Sequence, residues 1–145
     1  MTGFKDAYVP VFEAVQDILQ NQKELQQVIL GKNLKQLDSF DKLPIAIINT
    51  DEAKVAPSGG LADYELKIPI ILDVIIVEYE AENWFDKMSK VMGEIVDAFL
   101  DDTTLGGRVR DLVWTGYAPG TITFEDAVFY GGEIRFTATL DYGNS

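Results

Sequence analysis

Three arginines, Arg108, Arg110 and Arg135, are the only guanidinium groups in a chain of 145 residues, and all lie in its last third. A guanidinium binds carboxylates as a planar fork and is enriched where proteins meet. Arg108 and Arg110 fall two apart in an apolar stretch, Arg108–Trp114, so a strand there would put both on one side. The acids that could receive them are Glu78, Glu80 and Glu82, in a run from Glu78 to Asp102 that sets eight acids against Lys87 and Lys90. The expectation is a contact between subunits: Arg108 and Arg110 of one chain against the Glu78–Glu82 edge of its neighbour. Ordinary surface ion pairs and a solvated helix face are the plainer readings of the same residues.

Other chemistry finds little support. Asp101, Asp102, Thr103 and Thr104 offer oxygen ligands to a hard cation, but the spaced ligands and closing glutamate of a calcium loop are missing. Gly59-Gly60 and Gly106-Gly107 precede no Lys-Ser or Lys-Thr, so neither is a phosphate loop. Paired carboxylates for glycoside hydrolysis arise by chance among 24 acids. The chain has no histidine, which removes the usual base near neutral pH, and no cysteine, which removes thiolate chemistry and disulfides. Serine remains as a nucleophile with no motif around it. The sequence therefore predicts no catalytic residue, no metal and no cofactor.

The charge sets a further bound. Twelve basic residues against 24 acidic ones leave a formal charge of −12, which repels nucleic-acid phosphates. The start, MTGFKDAYV, lacks the basic and apolar regions of a signal peptide, and no apolar run nears the ~20 residues of a membrane span. The expectation is a soluble product of the cytoplasm.

Positioning falls to one stretch, Tyr64–Tyr79. Leu66, Ile68, Ile70, Leu72, Val74 and Ile76 are apolar at a period of two, one face of a long strand. Burying each is worth roughly 1.5–3 kcal/mol. The other face ends in Ile71, Ile75, Val77 and Tyr79, an apolar patch that either lies under the first helix or is buried by a partner.

Around this strand the pattern predicts a helix from about Val9 to Asn21, since Pro10 suits only a first turn, with Thr2–Tyr8 as a preceding turn or short helix. Leu25–Leu30 fits a continued helix or a short strand, and Leu34–Leu43 is polar and turn-like. Ile45–Ile48 reads as a strand. Asp51–Asp63, with Ser58, Gly59 and Gly60, reads as a long loop, either mobile or ordered against a neighbour. A second helix begins after Asn83 with Phe85, Met88, Met92, Ile95 and Phe99 as its stripe; Gly93 inside it suggests close approach to the sheet. Ala118-Pro119-Gly120 reads as a turn, and Gly131-Gly132 as the turn of a hairpin between Thr121–Tyr130 and Glu133–Tyr142. Trp84, Trp114 and Tyr117 read as core or partly buried residues, one of them a candidate interface anchor. The sum is one α+β domain over residues 1–145: a mostly antiparallel sheet of four to five strands with two main helices packed on one face.

This order resembles the small tail terminator (tail completion) proteins of long-tailed bacteriophages. The residues that carry the resemblance are the strand opening at Leu43-Pro44, the long strand, the helix ending Asp101-Asp102-Thr103-Thr104-Leu105-Gly106-Gly107, and the closing strands to Tyr142. The resemblance implies a homo-oligomeric ring, commonly of six subunits, that ends polymerisation of the tail tube. It implies as partners the tail-tube protein and the head-tail connector, with DNA passing through unbound, and a place in the virion. It brings no ligand or catalytic residue. On this reading the candidate interface residues are Arg108, Arg110, Glu78, Glu80, Glu82, Ile75, Val77, Tyr79, Ser58, Gly59 and Gly60. Other neck and tail parts of such phages, head-closure or tube proteins, fit the same pattern. An acidic inhibitor that mimics DNA is the rival from a different class.

Overall fold

The computed structural model describes residues 3–31, 42–60, 62–124 and 126–143. Two helices, α1 (Phe4–Gln20) and α2 (Trp84–Leu100), accompany six strands: β1 (Gln27–Leu30), β2 (Ile45–Thr50), β3 (Lys54–Pro57), β4 (Asp63–Glu78), β5 (Asp111–Phe124) and β6 (Ala127–Gly143). One sheet runs β1-β2-β4-β6-β5, with β3 pairing β4 beyond the end of β2. It is α+β and mostly antiparallel, as expected. Among the described residues it has six strands rather than four or five, and β1 runs parallel to β2. Leu25–Leu30 thus resolves toward a strand. Of the polar stretch Leu34–Leu43, residues 34–41 lie outside those described.

The core follows from the period-two face of β4. Leu66, Ile68, Ile70, Leu72, Val74 and Ile76 are all buried, in one cluster with Val11, Val15 and Leu19 of α1 and with Met92, Ile95 and Phe99 of α2. Ile134, Phe136, Ala138 and Leu140 of β6 join from the same face. The strand is central because it pairs on both edges: with β2 and β3 on one side, and with β6 from Asp63↔Gly143 to Glu78↔Phe129 on the other.

Several expectations are corrected. Helix α1 begins at Phe4 and carries Pro10 inside it. The early start is held by aromatic contacts, Phe4 stacking on Tyr8 at 5.2 Å and meeting Tyr142 edge-on at 5.5 Å. The expected loop Asp51–Asp63 contains β3, paired from Lys54↔Lys67 to Pro57↔Tyr64. In α2 the stripe loses Phe85, which is exposed, and Trp84 packs instead. Asn83 takes a left-handed conformation at φ 59° and its side chain makes no cap hydrogen bond. Gly93 makes no close approach: a Cβ there would meet nothing within 4 Å.

Neither expected turn near the C-terminus is a turn. Ala118-Pro119-Gly120 lies within β5, and Gly131-Gly132 lies within β6, both glycines buried. The chain reverses between Phe124 and Ala127 instead, with Asp126 at φ 65°. Glycine stands at 131 because an added Cβ would fall 1.9 Å from the Val74 carbonyl oxygen, and at 132 because it would fall 2.5 Å from that of Ala118. These are close backbone approaches between neighbouring strands, a known use of glycine inside strands. Pro119 is tolerated because β5 is an edge strand, where a missing N–H costs no ladder bond.

Candidate functional site

The predicted interface residues separate to the two ends of β4. At the end near Asp63, Ser58, Gly59 and Gly60 form the tip of the β3–β4 hairpin. The Ser58 N–H donates to Asp63 O at 2.9 Å, and Gly59 sits at φ 95°. All three tip residues are exposed. Arg110 lies at this end too. It donates through Nη2 to Glu65 Oε2 at 2.6 Å and through Nη1 to Asp141 Oδ1 at 3.1 Å. The plainer expectation holds for it: this guanidinium is occupied by acids of its own chain. The hydrogen bond to Glu65 raises the Arg110 pKa, and the same bond lowers that of Glu65.

Arg108 does not share a strand side with Arg110, because β5 begins only at Asp111. It belongs to the turn that closes α2. Leu105, buried, takes φ 49°, and Gly106 and Gly107 take φ 67° and 88°. The turn is fixed by its own polar groups: the Gly106 N–H donates to Asp102 Oδ1 at 3.0 Å, and the Gly107 N–H to Thr104 Oγ1 at 3.2 Å. Two of the groups considered as cation ligands are therefore committed to backbone N–H groups. Arg108 itself is exposed and donates through Nη1 to Leu105 O at 3.2 Å. Arg135, the third arginine, pairs with Glu133 of its own strand.

At the opposite end, Glu78, Tyr79, Glu80 and Glu82 are exposed. The predicted apolar patch does not continue to them, because a bulge between Ile75 and Val77 shifts the register with β6. A bulge reverses the facing of the residues beyond it. Ile75 stays on the face away from the helices, buried with Ile45, Ile47 and Phe129 in a second cluster. Val77 joins the helix-side core, and Ile71 is buried as well. Tyr79 then turns toward α2. Its ring stacks on Tyr130 at 5.3 Å and 16°, and Tyr130 stacks on Trp84 at 3.9 Å and 9°. So Ile75 is buried on the face away from the helices and Val77 in the helix-side core that α1 shares, whereas Tyr79 remains 52% exposed.

Sequence reasoning missed this three-ring stack. The signal was present in Tyr79 and Trp84 flanking a short acidic turn, but the part of Tyr130 depends on the β6 register, which the misplaced Gly131-Gly132 turn obscured. It also placed Trp114 and Tyr117 too deep. They are 42% and 40% exposed on edge strand β5, their rings edge-on at 6.0 Å.

Two further features were not anticipated. A cleft of about 410 Å³ lies between α1 and the β1–β2 edge, lined by Tyr8, Val9, Phe12, Leu30 and Ile48. On the sheet face away from the helices, Asn49 Nδ2 donates to Asp73 Oδ2 at 2.6 Å. No helix of the described residues is long and apolar enough to cross a membrane. A scan of the chain against protein-family models gives no match, and a search of curated protein sequences gives none either.

Proposed function

We propose that this chain is a structural, ring-forming subunit of a long-tailed bacteriophage, a tail terminator that ends tube polymerisation and meets the head-side connector. The observation that carries the reading is the outer edge of the sheet, which no further strand pairs among the described residues. Strand β5 is 14 residues long, forms the outer edge, and exposes Val113, Trp114 and Tyr117. Such an edge is a template for another chain unless charge or proline guards it. Here Asp111 at its start, a bulge at Trp114/Gly116 and Pro119 interrupt it, and the Val113–Trp114 segment between them stays open. At the far side of the sheet, β3 is exposed at all four residues. A subunit with two open borders on opposite sides suits assembly side by side. The charge of −12 suits a wall past which DNA slides without being held.

The test is native mass and negative-stain imaging over a concentration series at physiological salt, with addition of the protein to polymerising tail tubes. Closed rings with a central hole, and tubes that stop growing at a capped end, are the expected results. A chain that neither closes into rings nor caps tubes overturns the reading. Stoichiometric inhibition of a DNA-binding nuclease would favour the DNA-mimic reading. Against that, Lys87 and Lys90 stand among the acids of α2, and Lys90 pairs with Glu24 at 3.1 Å.

A further inference from the structure

The two ends of β4 carry complementary, unsatisfied chemistry that one chain cannot bring together. At one end is Arg108. Of the three arginines it is the one that no carboxylate reaches among the described residues, the others being held by Glu65, Asp141 and Glu133. It is also preorganised. The turn beneath it is anchored by buried Leu105, and its Nη1 is tied to the Leu105 carbonyl. Little side-chain entropy then remains to be lost on binding.

At the other end is Tyr79. One face of its ring is taken by Tyr130, and half of the residue remains open to solvent. Exposed Glu78 and Glu80 flank it, and neither is in an ion pair among the described residues. A guanidinium stacks on an aromatic face while its edge bonds carboxylates, which lysine cannot do. Arg108 lies at the Lys67 end of β4, two residues before Arg110, whose N–H bonds Thr139 O, and Thr139 pairs with Lys67. From Lys67 to Tyr79 the strand covers roughly 40 Å at ~3.3 Å per residue. Contact within one chain is therefore excluded.

We propose that the open face of Tyr79, between Glu78 and Glu80, receives Arg108 of a second copy of this chain. The occupant follows from charge and shape: of the three guanidinium groups in a protein of −12, Arg108 is exposed and meets no carboxylate among the described residues, and the exposed lysines lack the planar fork. The contact is head-to-tail, using different surfaces on the two partners, so it propagates until it closes into a ring or runs on as a filament. The proposal rests on the ring reading above and names its junction.

The experiment uses two variants of the whole chain, Arg108→Ala and the double variant Glu78→Lys with Glu80→Lys. All altered positions are exposed, and far-UV circular dichroism checks that both fold. Sedimentation velocity over a concentration series is the readout. The wild type should self-associate, and each variant alone should associate at least tenfold more weakly. An equimolar mixture should give a dimer and nothing larger, because only one junction, Arg108 of the double variant on Tyr79 of Arg108→Ala, survives. Arg108→Lys should restore only part of the association. If Arg108→Ala assembles like the wild type, the junction is overturned while the ring reading stands. If the wild type stays monomeric and the mixture gives no dimer, the junction is overturned, and tube capping decides the ring reading separately.

Discussion

Arg110 bonds Glu65 across the start of β4, Nη2 to Oε2 at 2.6 Å, and so staples the turn after α2 to the central strand. The Arg110 hydrogen bond is the largest cause of the lowered Glu65 pKa, with opposing desolvation next and the charges of Arg110 and Lys67 adding to the lowering. A carboxylate whose folded value is depressed adds stability above its unfolded value and loses it as pH falls through the folded one. The contribution is thus present at neutral pH and fades below the ordinary value of 4.5. Thermal melts of the wild type and Glu65→Gln at pH 7 should differ modestly, with the variant lower. The gap should narrow below that pH and in high salt, because the pair is exposed. A gap that widens in acid would sink this account.

Gly93 offers the opposite case, a position where the native residue is not the best. It lies inside α2, and a Cβ there meets nothing within 4 Å. Gly93→Ala should stabilise the fold by about 0.5–1 kcal/mol, through helix propensity and a less flexible unfolded chain. The urea midpoint should rise with an unchanged slope. A loss of stability would mean that the helix at Gly93 packs more closely than it does here.

What could be read from the sequence divides along physical lines. The β4 face from Leu66 to Ile76 and the β6 face from Ile134 to Leu140 are legible because period-two burial leaves a direct record in side-chain type. Helix α2 is legible from Met88 to Phe99 for the same reason at helical period. Backbone geometry is not legible in this way. Gly131-Gly132 carries the composition of a turn but serves a close strand approach, and composition does not tell the two apart. The bulge at Ile75/Val77 leaves no mark in the residues, so periodicity groups Tyr79 with Ile75 although it faces the helices. The site is half legible. Its acids and Arg108 stand out in the sequence, but Arg110 joins them there only because its partners, Glu65 and Asp141, are distant along the chain.

The close strand approach at Gly131 can be tested directly. Its Cβ would have to displace the Val74 backbone, whereas Gly120, its partner across the β5–β6 ladder, has open space around it. Gly131→Ala should cost about 1–3 kcal/mol or more, as other forced overpacking does. Gly120→Ala should be close to neutral. Chemical denaturation of the two variants checks both. If Gly131-Gly132 were a surface turn, the contrast would vanish.

The second cluster, on the sheet face away from α1 and α2, decides whether the apolar patch belongs to the chain's own core or to a partner. Ile75 is 2% exposed there, against Ile45, Ile47 and Phe129, with Ile122 of β5 over its edge. Truncating a buried isoleucine removes transfer energy and leaves a cavity, so Ile75→Ala should cost about 2–5 kcal/mol. Val113→Ala, on exposed β5, should change stability by no more than about 0.5 kcal/mol. The comparison should be made at concentrations where sedimentation shows one species, so that assembly does not enter the unfolding free energy. If Ile75→Ala leaves monomer stability unchanged but weakens self-association, the patch belongs to an interface. Loss of monomer stability with association intact assigns Ile75 to the fold, and leaves Tyr79, turned to the other face by the bulge, as the residue at this end free to meet a partner.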